Sequence, residues 1–293
     1  MPNSIEQFCS DADRIIGSNS PFVKSLTSQK PPDRIYHYTN DVGLKGVLES
    51  GKLWLTEISS LNDPSELNHG FGVAVEELNK AVANEPAESQ KFAHDLELIA
   101  VKNTIHRSAD FFICSFSLCG DDLGQWRAYA DNGRGFALGF DAAALETGTA
   151  LDSFPLTYDD VRLAEIDREI ISKMIHLTKL PKCKDDLSIA FMTYVTNAAI
   201  FFKHPAYKSE VEYRFLEAFS ASAQPSTNSR VRRNKLVRYR EIDWRNASPS
   251  ALREIVIGPV GQENARRFEE ECLHLWNPNM NVTINSSTIP YNG

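Results

Sequence analysis

Glu210-Val211-Glu212 carries two carboxylates at i and i+2. On a β-strand, where successive side chains alternate faces, that spacing turns both acids to one side. Packing alone rarely wants the arrangement, because like charges repel and one of the two is driven toward protonation. It suits chemistry that passes through a cation, such as the oxocarbenium ion of glycoside hydrolysis, where one acid stabilises the charge and the other serves the incoming nucleophile. The plainer reading is a solvated strand face on which Arg214 neutralises Glu212.

Four further groups stand out. His37 sits inside the run Ile35-Tyr36-His37-Tyr38-Thr39; the plainer reading is a core histidine satisfied by a backbone carbonyl. Asn62, Asp63 and Glu66 share a polar stretch in which Asn-Asp-Pro is also an ordinary turn sequence, leaving Glu66 unexplained. Ser115, Ser117, Gln125, Trp126, Arg127 and Tyr129 form the third group. Trp126 or Tyr129 offers a flat π-face for stacking, although a buried Trp is the commoner outcome, and Arg127 is suited to bidentate contact with a pyrophosphate. Arg230, Arg232, Arg233, Lys235, Arg238 and Arg240 form a basic run fit to track phosphates. The chain has neither GxGxxG nor GxxxxGK[ST], so no glycine-rich phosphate cradle of either kind is supported.

These residues need elements to hold them. The β-branched and aromatic run 35–39 reads as a strand. Asn40 or Asp41 caps a helix whose buried face is Leu44, Val47 and Leu48, and Gly51 ends it in the left-handed conformation. Leu53 to Thr56 returns as a second strand. Helices are expected near 70–84 and 88–106, and a buried strand over Phe111–Ser117. A short helix from Gln125 and a strand over Gly135–Asp141 follow. An apolar helix is expected over 185–204, with Asp185 or Asp186 as its cap. Lys208–Phe219 alternates and reads as a strand, and Arg230–Arg240 as another with a cationic face. Glu254–Pro259 is a last core strand, with a helix near 262–276 and a short strand at Val282–Ile284. Residues 1–33 read as an N-terminal helix and a linker ending in Pro31-Pro32; residues 34–293 read as one domain.

The 293 residues include 42% hydrophobic and 24% charged side chains, ordinary for a globular chain with a real core. A net charge of −8 argues against broad nucleic-acid binding but leaves room for a local basic groove. Five cysteines without a CxxC pair read as reduced thiols of a cytoplasmic protein, with no metal site. No apolar run is long enough to span a membrane, and the first residues lack the pattern of a signal peptide.

The order strand with His-Tyr-Thr, helix, glycine stop, strand resembles the opening of an ADP-ribosyltransferase. More specifically, the chain resembles the family known as domain of unknown function 2971, related to AbiGi-type abortive-infection proteins. YHYT with GVLESGKLWLT, LNDPSEL, FICSFSLCGDDLGQWRAYADNGRGFALGFD, and YKSEVEYRF followed by EIVIGP carry the likeness, spanning roughly residues 34 to 260. The resemblance implies an α+β fold: a split, mostly antiparallel ADP-ribosyltransferase-like sheet with surrounding helices. It implies NAD as substrate, with Glu212 catalytic and Glu210 its helper. His37 would meet the NAD ribose beside Tyr38 and Thr39. The loop with Asn62, Asp63 and Glu66 would close over nicotinamide, and Ser115, Ser117, Trp126, Arg127 and Tyr129 would complete the cofactor site. The acceptor would be a macromolecule such as RNA or DNA, met by Arg230, Arg232, Arg233 and Lys235, in a defence toxin with an antitoxin or chaperone partner. Three alternatives stay open: an NAD glycohydrolase, an inactive binding or antitoxin module, and a metal-dependent nuclease using Asp63, Glu66, Glu210 and Glu212.

Overall fold

A computed structural model describes residues 4–58, 65–101, 109–180, 184–220, 223, 225–232, 234–276 and 281–293. Among the described residues ten strands form one open sheet: β1 Ile35–Thr39, β2 Lys52–Glu57, β3 Ala109–Ser117, β4 Phe136–Phe140, β5 Asp152–Pro155, β6 Glu212–Ser220, β7 Asn228–Arg232, β8 Lys235–Asp243, β9 Leu252–Ile257 and β10 Thr283–Ser286. Every pairing is antiparallel except β9 with β10. The helices are α1 Ile5–Ile16, α2 Pro21–Thr27, α3 Asp41–Ser50, α4 Ser65–Val82, α5 Ala87–Val101, α6 Leu123–Tyr129, α7 Ala142–Thr149, α8 Asp160–Met174, α9 Lys184–Ala199, α10 Trp244–Ala247 and α11 Gln262–Trp276. The chain is therefore α+β with a largely antiparallel open sheet. Among the described residues no helix is long and apolar enough to cross a membrane.

The sheet divides at β3. Along one edge β3 pairs with β6 over its whole length, Ala109 opposite Ser220 through Ser117 opposite Glu212. The other edge is shared: β1 joins it at Ser117 through Tyr36, and β2 joins it at Phe112 and Ile113 through Glu57 and Thr56. Among the described residues no strand pairs with 114–116 on that edge. β1 leaves with β4 and β9, while β2 leaves with β8 and β7. The two halves diverge around a short bare stretch of β3. A bare strand edge is a row of unmet backbone donors and acceptors, so side chains must serve it.

The β1-α3-β2 unit follows its local chemistry. Asn40 caps α3 by accepting from Gly43 N, and Gly51 ends it at φ 69°. Gly43 has no room for a side chain, since a Cβ there would lie 1.8 Å from Thr39 Oγ1. One core joins the inner faces of α4, α5, α8 and α9 to α1 and part of β3. The other packs α3 and α11 on the opposite side of the sheet. Phe8, Ala12 and Ile16 of α1 are buried in the first core, and Tyr194 Oη donates to Cys9 O and Asp13 Oδ1. Val23 of α2 joins the same core, so both helices of the N-terminal segment are part of it.

Several elements differ from the sequence reading. The strand expected over Lys208–Phe219 begins only at Glu212, because Pro205–Glu210 winds into a 3₁₀ helix and Val211 turns left-handed at φ 40°. The basic strand expected over Arg230–Arg240 is a hairpin, β7 and β8, with Asn234 at φ 60° in its turn. The helix expected to run to 204 stops at Ala199. Thr157 N donates to Phe201 O and Lys203 N to Thr157 O, and this parallel bridge pulls residues 200–203 out of the helix.

Candidate functional site

The parting of the sheet encloses a cavity of 190 Å³. Tyr36, His37 and Tyr38 of β1 form one wall and Trp54 and Thr56 of β2 the other. Residues 113–117 of β3 form the floor. Gln125 and Tyr129 of α6, the Lys203/Glu210/Glu212 group and Arg230 and Arg232 of β7 complete it.

His37 serves the bare edge of β3. Its Nδ1 lies 3.2 Å from Ser115 O. A carbonyl only accepts, so Nδ1 carries the proton and Nε2 keeps the lone pair. Burial pulls the imidazole pKa down, and the nearby Arg230 pulls the same way against the Ser115 hydrogen bond. The ring is therefore neutral at physiological pH.

Glu210 and Glu212 do meet, but not through the strand pleat. The left-handed turn at Val211 swings both carboxylates onto one amine: Lys203 Nζ lies 2.5 Å from Glu210 Oε2 and 2.9 Å from Glu212 Oε2. Ser117 Oγ donates to Glu210 O at 2.9 Å, and Leu118 N donates to Val211 O, so the end of β3 holds this turn. Glu212 and Arg214 are buried, 6% and 1% exposed, which rules out the solvated strand face. Arg214 Nε donates to Glu212 Oε1 at 2.6 Å. Burial would raise the Glu212 pKa. Arg214 and Lys203, with hydrogen bonds from Arg214 and Ser115, outweigh it and hold the carboxyl at about 2. Glu210 is more open and accepts from Tyr129 Oη at 3.4 Å.

Not every residue singled out in the sequence lies here. Trp126 is fully buried, donates to Asp121 Oδ1 at 2.7 Å and packs edge-on against Tyr38, so it is a core residue with no face left for stacking. Tyr38 lines the cavity, but its hydroxyl is committed to Cys119 O and Asp122 N. Arg127 is exposed on α6 outside the cavity, and Thr39 packs against Gly43 rather than into it. Lys235 is exposed beside the hairpin turn. Arg238 and Arg240 bind Asp110 and Glu217, which removes them from a phosphate track. Asn62, Asp63 and Arg233 lie outside the described residues, as does the side chain of Glu66.

Sequence reasoning missed Lys203, buried at 4% exposure. The signal was present: a cation closes the apolar run Ala-Ala-Ile-Phe-Phe just before the acid pair. A group of metal-type ligands was also missed, in which His69 Nε2 lies 2.8 Å from Asp160 Oδ1 with His204 beside them. It contains none of the four acids of the nuclease alternative. His204 Nδ1 already accepts from Ala206 N.

A family described as "Protein of unknown function (DUF2971)" matches residues 125–215. That span carries Gln125, Tyr129, Lys203, Glu210, Glu212 and Arg214 but neither His37 nor Arg230. No curated protein matches the chain, and no solved structure does.

Proposed function

We propose that this pocket binds NAD, breaks the nicotinamide–ribose bond and passes ADP-ribose to a macromolecule, on an ADP-ribosyltransferase-like split sheet. The observation that carries the reading is the pair Glu210/Glu212 gathered on Lys203, with Glu212 held ionised, beside a neutral histidine at the parting of the sheet. Departure of nicotinamide leaves positive charge on the ribose. A fixed carboxylate at that point stabilises the transition state more than the ground state. Glu212 supplies the charge without needing to lose a proton first. Its four lone-pair sites outnumber the three donors that Lys203, Arg214 and Ser115 bring, so a ribose hydroxyl can still be accepted. His37 Nε2 offers a second acceptor for that sugar. Glu210, the more open acid, orients the nucleophile, and Tyr129 presents an exposed ring for stacking.

A second reading is a nucleotide-binding module without turnover. The observation in its favour is the same ion cluster: both Glu212 oxygens already contact cations, as a structural charge would. The metal-dependent nuclease has less support, since Lys203 and Arg214 already occupy both oxygens of Glu212 and one of Glu210.

Nicotinamide release and ADP-ribose transfer by the parent, Glu212→Gln and Glu210→Gln separate these readings. Glu212→Gln is expected to lose roughly a hundred- to thousandfold in nicotinamide release. Glu210→Gln is expected to lose transfer more than hydrolysis, because water needs less orienting than a macromolecular acceptor. Equal release by parent and Glu212→Gln would sink the catalytic role. Binding of NAD with no release by the parent would leave the module.

A further inference from the structure

The buried cations among the described residues come with carboxylates: Arg214 with Glu212, and Lys203 with Glu210 and Glu212. Two cations of the pocket do not. Arg230 is half-buried, and its guanidinium lies 4.8 Å over the indole of Trp54, which Tyr239 backs from 4.4 Å. Its hydrogen bond to Thr56 Oγ1, at 3.4 Å, is long, and its Nε is buried without a partner. Arg232, two residues along the same strand, also lines the pocket and has no hydrogen bond or ion pair among the described residues. A buried N–H without an acceptor is costly, more so on a charged group, so such an atom calls for an explanation. The lining as a whole holds three cations, Lys203, Arg230 and Arg232, against two carboxylates, Glu210 and Glu212. Lys203 answers the carboxylates. The excess positive charge therefore sits at the β2/β7 end of the pocket.

We infer that Arg230 and Arg232 form a phosphate subsite, so that the pocket takes a ligand carrying a phosphate or pyrophosphate at that end. A guanidinium held flat by stacking on an indole presents its N–H groups in a fixed fork, the geometry that suits phosphate oxygens bidentately. Thr56 Oγ1 adds a donor from β2. The subsite assigns these arginines to the interior of the pocket rather than to an exposed nucleic-acid track. It deepens the reading of the pocket above, but it needs only ligand binding and no bond cleavage. It also links to His37, whose ring feels the Arg230 charge. An anion seated on Arg230 cancels that repulsion, so binding should raise the His37 pKa.

The test is titration calorimetry of the full chain with inorganic pyrophosphate, ADP-ribose and a short single-stranded oligoribonucleotide, alongside histidine NMR of His37. Pyrophosphate and ADP-ribose are expected to bind the parent. Loss of a charge-assisted contact predicts about ten- to a hundredfold weaker binding in Arg230→Gln, with Arg230→Lys recovering part of it. The His37 titration is expected to move upward on adding pyrophosphate to the parent and to stay still in Arg230→Gln. Arg127→Gln, outside the pocket, should bind as the parent does. If Arg230→Gln does not fold, Arg232→Gln takes its place and is expected to weaken the same ligands. No binding of pyrophosphate or ADP-ribose by the parent, or unchanged binding in the arginine variants, would overturn the subsite. Binding of the oligoribonucleotide alone would overturn it in favour of a backbone track. Absence of nicotinamide release would defeat the catalytic reading and leave the subsite standing.

Discussion

The side chain with the greatest local consequence is Lys203. It touches both acids of the pair, and it does so from a buried position where an unpaired carboxylate would be costly. Lys203→Met keeps the apolar stem and removes the charge. The variant is expected to lose about 3–5 kcal/mol of stability at neutral pH, the usual result of breaking a buried pair. The sign with pH follows from Glu212, whose folded pKa is depressed from 4.5 to about 2. That carboxylate contributes stability that is fully present above 4.5 and is lost as pH falls toward 2. The deficit of Lys203→Met should therefore be largest above pH 4.5 and shrink below it. Adding Glu212→Gln should restore part of the loss. Urea unfolding of the two single variants and the double at pH 3 and pH 7 measures all of this; additive losses would mean that the two groups do not act as a pair. Glu210 and Glu212 were legible in the sequence because like charges two apart are unusual. Lys203 left only a weak signal, a cation closing an apolar run, because a lysine after an apolar helix is ordinary until the Thr157–Phe202 bridge turns it inward.

At the scale of elements, the joint between the 3₁₀ helix Pro205–Glu210 and β6 decides the geometry. Period-two alternation over Lys208–Phe219 singled out two acids that do converge, but not through the strand pleat it assumed. Alternation cannot register that the end of β3 binds Glu210 O and Val211 O and forces a turn between them. Val211 is β-branched and sits at φ 40°, a conformation such residues rarely adopt. Strain of this kind costs about 1–3 kcal/mol, and it concentrates at functional sites. Val211→Gly relieves it, and the added freedom of the unfolded chain takes back about 0.4–1 kcal/mol. A net gain of about 1 kcal/mol is expected in chemical denaturation, with no gain in Val211→Ala, which keeps a Cβ at the same φ. A destabilised Val211→Gly would show that the turn is unstrained. The opening unit β1-α3-β2 was legible down to its stop at Gly51 and a start at Asn40 or Asp41, of which Asn40 is the cap, since those signals are local. The parting of the sheet at β3 was not, because it depends on β1 and β2 sharing one edge of a strand more than fifty residues further along the chain.

At the scale of the whole molecule, two acids set the pH response from outside the pocket. Asp167 of α8 is fully buried in the helical core, with neither oxygen hydrogen-bonded. Glu269 of α11 is fully buried under the other face, again with both oxygens unpartnered. Burial, with Glu77 nearby, holds the Asp167 pKa well above its ordinary 3.8. Burial and then Glu270, offset by Arg266, push Glu269 from 4.5 to about 7. Both shifts are upward, so the folded state keeps protons that the unfolded chain gives up. Their contribution is whole below the unfolded values and is lost as pH rises through the folded ones, for Glu269 between 4.5 and about 7. Glu212 acts in the opposite sense below 4.5, so the two limbs meet there and stability should peak on the acid side of neutrality. Asp167→Asn and Glu269→Gln remove the titration while keeping nearly the same size. Each is expected to be about 1–3 kcal/mol more stable than the parent at pH 8, the order of the cost of a buried unpartnered polar group, and nearly equal to it at pH 4. The combined variant should flatten the fall between pH 4.5 and 8. Denaturation of parent and variants at both pH values decides the matter. A parent whose stability rises steadily from pH 4.5 to 8, or variants that track it, would mean that these carboxyls ionise freely in the folded state and that the cores around them admit water.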